Sequence, residues 1–374
     1  LQSKKFLPAD GNPIEEVSFA NKWNIYPKDI EAYKRGEGSE PRKQIVMYMD
    51  NYFPSLWREP IKRGIEKWNK AFEQIGLKNV IEVRDFPVDD ASFDPGNIKY
   101  SCIRFSPSTF TGSDAGIWVN PKNGEIFNSS IIFHQNLLSQ INNWRFVQTA
   151  QIDERVRTTK MPDSVIEESL EYFATKEMGR VLGLIPNMGA SSAYPVDSLR
   201  SASFTHKYGL ASSIMDDVRF NYVAQPDDKG AKLTSDLGAY DYYAIKWLYT
   251  PIVDSLTEKE ETEFFDKIIA ERKGDPTCFY GKEQSKIIFD PRSLSDDLGD
   301  DATKAGEYGI SNIKYQIENL PQWINADNDP EGTHRSRITL AILKQYQLYM
   351  VHAMSNIGGF YLADNKGTKD ENAF

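Results

Sequence analysis

The sequence has few of the residues that bind transition metals or form disulfides, with only two cysteines and four histidines among 374 residues. Nothing in the sequence brings Cys102 and Cys278 together, so two buried thiols are the simpler interpretation, and whether they pair is left open. No two histidines have the i, i+3 or i, i+4 spacing that lets one helix present two ligands to a metal. A structural role is predicted for all four, His134, His206, His334 and His352.

The sequence also lacks an excess of basic residues and any long apolar run. Its 44 Lys and Arg are outnumbered by 54 Asp and Glu, for a formal net charge of −10 at pH 7. Nucleic-acid binding depends on clustered basic side chains, so no nucleic-acid partner is predicted. No apolar run reaches the roughly 20 residues of a membrane-spanning helix, so no transmembrane segment is predicted. The opening residues, L-Q-S-K-K-F, contain no signal-peptide core, and they are compatible with a terminus from which an export signal was removed.

Hydrophobic residues make up 40% of the 374-residue sequence, which is enough for a large buried core. Residues 1–43 show no sustained periodicity and are predicted to be a lead-in segment. From Gln44 onward the pattern predicts a strand, an amphipathic helix, two strands and a hairpin turning at Asn123-Gly124. These elements correspond to Ile45–Met49, Ile61–Ile75, Val80–Arg84, Ile98–Phe105 and Gly116–Phe133.

Helical periodicity dominates the rest of the chain. One helix is predicted over Leu137–Val147, and the next begins near Pro162 and ends near Gly183, because proline and glycine are typical start and stop residues. From about Leu233 the pattern is mainly helical. The predicted organisation is thus a lead-in segment, a domain over residues 44–232 and a mainly helical subdomain over residues 233–374.

The helix that ends near Gly183 contains a spacing known from zinc proteases. Residues 175–187 are T-K-E-M-G-R-V-L-G-L-I-P-N, and the zinc motif is H-E-x-x-H-x-x-G-x-x-H. Glu177 and Gly183 match its glutamate and glycine, whereas Lys176, Arg180 and Pro186 stand at its three histidines. Taken alone, this segment is better interpreted as an ordinary charged helix turn, because so short a match is common by chance.

Further segments strengthen the match. Residues 211–220, A-S-S-I-M-D-D-V-R-F, place a methionine about 30 residues after the helix, as in the turn beneath the metal of metzincins. The segments W-R-E-P-I-K-R-G-I-E-K-W-N-K-A-F (57–72) and S-L-S-D-D-L-G-D-D-A-T-K-A-G-E-Y-G-I (293–310) match in order. From about Ile45 to near Tyr361 the chain resembles a family of large bacterial zinc-dependent metalloproteases with metzincin-like catalytic domains.

The resemblance implies an α+β fold: a metzincin-like subdomain with a twisted mixed sheet and an active-site helix, followed by a helical subdomain, with a cleft between them. Family members are generally exported, so a periplasmic or cell-surface location is expected. The family binds substrate in extended form beside an edge strand, and the equivalent here is expected in the Gly116–Phe133 hairpin.

The resemblance also assigns the site residues. Glu177 takes the position of the catalytic base, Gly183 that of the turn glycine and Met215 that of the methionine in the turn. Asp216 follows as in the family, but Asp217 replaces a tyrosine that the family usually has.

The three metal positions depart from the family pattern. The guanidinium of Arg180 offers no lone pair, the ammonium of Lys176 must first lose a proton beside a dication, and Pro186 has no ligand atom. Zinc is expected in the family, but no zinc or other cofactor is predicted here.

The loss of zinc would leave Glu177 as an unpaired buried charge, which is costly. We therefore expect Lys176 and Arg180 to form an ion-pair cluster with Glu177 and the turn aspartates, Asp216 and Asp217. The alternative is that the two cations reach water through an open cleft.

Two acidic runs invite a calcium interpretation, D-D-L-G-D-D at Asp296–Asp301 and D-N-D-P-E-G at Asp327–Gly332. In the second run the twelfth position is Ile338 rather than a bidentate glutamate. Helix-start or turn chemistry is the better prediction for both.

The favoured function is that of a catalytically inactive metallopeptidase homologue whose cleft binds a peptide, protein or other polymer. One alternative is an active hydrolase that uses an unrecognised metal site or metal-free chemistry at Glu177. Another is a structural or partner-binding scaffold that uses the helical half. The sequence leaves the ligand and the oligomeric state open.

Overall fold

A computed structural model describes residues 2–5, 15–284 and 288–362. The described strands are β1 (Gln2–Lys5), β2 (Glu15–Ser18), β3 (Lys22–Trp23), β4 (Ile45–Met49), β5 (Ile81–Asp85), β6 (Ser101–Ser106), β7 (Ser113–Val119) and β8 (Glu125–His134). The described helices are α1 (Ile30–Lys34), α2 (Ser55–Glu66), α3 (Asn69–Glu73), α4 (Leu137–Thr149), α5 (Asp163–Val181), α6 (Ala202–Tyr208), α7 (Ala239–Tyr249), α8 (Glu258–Ala270), α9 (Ala302–Trp323) and α10 (Thr333–Ser355). Parts of the predicted lead-in segment and the end of the predicted helical subdomain lie outside the described residues.

The chain divides into two compact units, each assembled from three stretches. The first unit comprises Leu1–Asn142, Pro162–Ile185 and Asp236–Asp275. The second comprises Asn143–Met161, Pro186–Ser235 and Pro276–Phe374. Helices α7 and α8, which follow the predicted boundary at residue 233, therefore belong to the first unit.

The first unit contains a six-stranded mixed sheet. Its strand order is β3-β8-β6-β4-β5, and β7 pairs with β8. Strand β7 is antiparallel to β8, whereas the other pairs are parallel. Strands and helices together confirm the predicted α+β class; the twist of the sheet stays a prediction.

Alternation of buried and partly exposed side chains explains the interior strand β4. In β4, Ile45, Met47 and Met49 are buried, and the residues between them are partly exposed. The predicted hairpin is confirmed as β7 and β8, which join through residues 120–124. The strand predicted from Ile98 begins at Ser101 instead, after a turn in which the Tyr100 N–H donates to the Asn97 carbonyl.

The helix predicted over Ile61–Ile75 forms as two helices, α2 and α3, with Trp68 at the break between them. Trp68 is fully buried, and its indole N–H donates to the Thr175 carbonyl of α5 at 2.8 Å. This bond satisfies the indole and fixes α5 against α2.

The second unit contains α9 and α10, which pack against each other. One face of α10 is buried through Ile338, Ile342 and Tyr349. From α9, the Gln316 amide nitrogen donates to the Val147 carbonyl and to Gln151 Oε1, both at 2.9 Å, so its two N–H donors have acceptors. Among the helices that the structure describes, none is both long and apolar enough to cross a membrane.

Candidate functional site

The carboxylate of Glu177 lies on α5 and is 3% exposed. Its Oε1 accepts a hydrogen bond from the Ser113 hydroxyl at 2.8 Å, and its Oε2 lies 3.3 Å from a guanidinium nitrogen of Arg180. The glutamate that would activate a metal-bound water in a zinc protease is thus held by a hydroxyl and a cation. The predicted ion pair between Glu177 and Arg180 is present.

The environment of Glu177 acts on its pKa in two directions. Burial raises the pKa above its usual value, because the ionised form loses hydration. Arg180, the Ser113 hydroxyl and Lys176 lower it and only partly offset burial. The ionised form of Glu177 is therefore stabilised by these three partners, which act against the effect of burial.

The two cations at the predicted metal positions differ in exposure. Lys176 is 5% exposed, so the alternative that it reaches water through an open cleft is wrong for this residue. The Arg180 side chain is 35% exposed and reaches both Glu177 and solvent. The predicted participation of Asp216 and Asp217, which lie in the second unit, stays a prediction.

Gly183 ends α5 as predicted, in a Schellman motif. The Leu184 N–H donates to the Gly179 carbonyl at 3.1 Å, and the Gly183 N–H donates to the Arg180 carbonyl at 3.0 Å. Gly183 has φ +86°, and a Cβ there would lie 2.0 Å from the backbone oxygen of Asn21. Both the left-handed backbone and the close approach of Asn21 require glycine.

Two buried side chains satisfy the last carbonyl groups of α5. The Trp23 indole donates to the Val181 carbonyl at 2.9 Å, and the Tyr249 hydroxyl donates to the Leu182 carbonyl at 2.8 Å. Helix-end carbonyls need such partners because they have no intrahelical donor. The strand β3 and the helix α7 thereby fix the position at which the helix ends.

Strand β7 begins beside Glu177, at Ser113. No motif in the sequence marks Ser113, because its contact with Glu177 depends on the sheet register. Nearby, the two ring nitrogens of His134 lie 2.8 Å from the Ser108 hydroxyl and 3.2 Å from Asp114 Oδ2. Both nitrogens have partners, in agreement with the structural role predicted for His134.

In the second unit, the predicted methionine turn at Met215 is anchored next to Pro186. Met215 is fully buried, and its carbonyl accepts from the Asn187 N–H at 3.1 Å. The Asn187 side chain donates to the Phe279 carbonyl and accepts from the Gly281 N–H at 2.8 Å. The segment at the third former metal position is therefore held by backbone and amide hydrogen bonds.

The aspartate after Met215 belongs to a buried acidic pair. Asp216 Oδ2 accepts from the Ser191 N–H at 2.7 Å, and the Ser191 hydroxyl donates to Asp297 Oδ1 at 3.1 Å. Burial, followed by repulsion from Asp216, holds the pKa of Asp297 well above its usual value.

The two acidic runs that invited a calcium interpretation have protein partners. Asp301 accepts from the Lys304 N–H and caps α9, and Asp296 pairs with Arg219 at 2.9 Å. Asp329 accepts from the Arg335 N–H at the start of α10. These contacts agree with the helix-start chemistry predicted for both runs. Within the described residues, no three His, Cys, Asp or Glu side chains are grouped so that they could hold a metal ion.

The family model described as Met-zincin matches residues 158–374, which is more than half of the chain and includes both α5 and the methionine turn. The chain belongs to the Met-zincin family. No curated protein and no solved structure matches it.

The family implies zinc, but the donor set at the family's metal positions in this Met-zincin does not fit it. A zinc site needs neutral imidazole, thiolate or carboxylate ligands. Arg180 offers only N–H donors and already binds Glu177, and Pro186 has no side-chain donor atom. These three positions cannot supply a zinc coordination sphere.

Proposed function

We propose that this Met-zincin is a catalytically inactive metallopeptidase homologue that binds an extended peptide or protein segment. The observation that carries the proposal is the engagement of Glu177 by Ser113 and Arg180. A general base must be free to take a proton from water, whereas this carboxylate is buried and paired with a cation. By analogy with the family, we further propose that the protein is exported to the periplasm or cell surface.

The proposed ligand site is the outer edge of β7, which pairs with β8 alone among the described strands. The His134 N–H donates to the Gly112 carbonyl, so alternate residues from Gly112 onward face β8. The backbone groups of Ala115 and Ile117 therefore point away from β8. A peptide can add there as a further strand, because its main-chain groups would pair with these N–H and C=O groups.

The residue types at the metal positions predict the metal content. Protein purified without chelator and then dialysed against micromolar zinc should contain well below 0.1 equivalent of zinc by plasma mass spectrometry. The physical reason is that a guanidinium and a proline cannot coordinate the ion. Near-stoichiometric zinc that a chelator removes, together with a parallel loss of peptide cleavage, would refute the inactive assignment.

The edge strand predicts peptide binding without cleavage. Peptides selected from a displayed library of unstructured sequences should bind with dissociation constants of ~1–100 μM, measured by fluorescence polarisation, and should remain intact by mass spectrometry. Ala115→Pro removes one outward N–H and should weaken binding at least ~10-fold, because a backbone donor is lost.

The matched control is Ala115→Ser, which keeps the N–H and should bind like the unmodified protein. If Ala115→Pro folds normally and binds every selected peptide with unchanged affinity, the edge of β7 is not the ligand site.

A further inference from the structure

Helix α10 has two apolar faces, and the residues that the structure describes cover only one of them. Viewed down the helix axis, the core face through Ile338, Ile342 and Tyr349 lies opposite a second stripe. Six residues of α10 form this stripe, with fractional exposures of 54% for Leu340, 55% for Leu343, 42% for Tyr346, 41% for Met350, 48% for Val351 and 62% for Met354; Ile357, 83% exposed, continues it in the turn that follows the helix. A contiguous exposed apolar face of this size is typical of an interaction surface, so the second face calls for a cover.

The spacing of the stripe is that of a helix-pairing seam. Leu340, Leu343, Met350, Met354 and Ile357 follow one another at intervals of three, seven, four and three residues. Within the interval of seven residues, the position that would continue the heptad pattern is Gln347, a polar residue that is also exposed. A heptad seam with one polar residue at a core position is a device that fixes register and oligomeric state in helix pairs.

The charges of α10 select the direction of pairing. The helix has no acidic residue, and of its Arg and Lys side chains Arg335 and Arg337 lie near its N-terminus and Lys344 at its midpoint. A parallel pair would place these cations beside their copies, which is destabilising. An antiparallel pair places them near the C-terminal half of the partner helix, where the helix dipole favours positive charge.

We propose that α10 is a dimerisation helix that pairs with α10 of a second copy in antiparallel, two-fold symmetric fashion. The register that pairs Leu340 with Ile357 and Leu343 with Met354 puts the two-fold axis near residue 348. Both Gln347 side chains then lie within one turn of the axis. There their amides, each a donor and an acceptor, can bond to each other.

The exposed apolar area of the stripe is close to the area that each copy buries in a stable dimer interface. Seven side chains exposed by about half cover roughly 600–700 Å² per copy, close to the ~800 Å² a side of a standard stable interface.

The first test is the mass of the full chain in solution, by light scattering after size exclusion at ~1–50 μM. We expect a dimer, and Leu343→Glu should raise its dissociation constant at least ~100-fold. Leu343→Ala, which adds no charge, should weaken it less. Leu256→Glu, which changes an exposed leucine that precedes α8, is the matched control and should remain dimeric. A monomeric unmodified chain, or a dimer that Leu343→Glu leaves unchanged, overturns the proposal.

Cross-linking tests the direction, in a Cys278→Ser background. Leu343→Cys mixed with Met354→Cys should form a mixed disulfide, whereas each variant alone should not cross-link to itself. Self-cross-linking of each variant would mean parallel pairing and overturn the proposal. A monomer that sediments with anionic vesicles and loses this property in Leu343→Glu would assign the stripe to a membrane surface, which also overturns it.

Discussion

Gly183→Ala is expected to lower the free energy of unfolding by about 4 kcal/mol, because it combines a strained backbone with a steric overlap. The residue has φ +86°, and the added methyl would meet the Asn21 backbone oxygen at 2.0 Å. Backbone cannot move aside as a flexible side chain can, so the end of α5 or the segment before β3 must shift. Urea denaturation followed by tryptophan fluorescence measures the loss.

Gly36→Ala is the matched control. Gly36 has φ +77°, but nothing lies within 4 Å of the position its Cβ would take. Only backbone strain applies, and a loss of about 1 kcal/mol is expected. Equal losses of unfolding free energy in the two variants would show that the close approach of Asn21 does not contribute to the effect of Gly183→Ala.

Arg180→Ala is expected to destabilise the protein by about 2 kcal/mol at pH 8 and by clearly less at pH 4. The substitution leaves Glu177 buried with a weakened set of partners, and breaking a buried pair commonly costs 3–5 kcal/mol. The lower figure reflects the partial exposure of Arg180, since solvent screens the pair.

The pH dependence follows from the direction of the Glu177 pKa. Burial raises this pKa in the folded protein, so the neutral form is favoured, and stability is lost as the pH rises through the folded pKa. Removal of Arg180 raises the pKa further and enlarges that loss. Free energies of unfolding of the unmodified protein and of Arg180→Ala, measured from pH 4 to pH 8, test whether the variant loses more stability as the pH rises.

Glu177→Gln supplies the control for Arg180→Ala. The glutamine can still accept a hydrogen bond from Ser113 but carries no charge that Arg180 must compensate. When Arg180→Ala is added to Glu177→Gln, it should lower the free energy of unfolding by less than ~1 kcal/mol, and this loss should depend little on pH. A double-mutant cycle with no coupling energy would mean that the ion pair contributes nothing to stability.

Local pattern was sufficient to locate most elements of the fold. Strand β4, the hairpin, and the start and end of α5 formed where the sequence predicted them, because alternation and the helix-stopping effect of Gly183 are properties of a few neighbouring residues. The break at Trp68 was not predictable in this way, since the apolar spacing continues across it.

The sequence by itself determined that Arg180 and Pro186 offer zinc no side-chain ligand atom, because the lack of an available lone pair follows from residue type and needs no structure. Only the tertiary structure decided what holds Glu177. Its hydroxyl partner, Ser113, lies 64 positions earlier in the chain and arrives through strand pairing. Likewise, the sequence of α10 has apolar residues on more than one side of the helix, but only its packing shows which of them are left uncovered. Such contacts depend on which distant segments meet, and local periodicity carries no information about that.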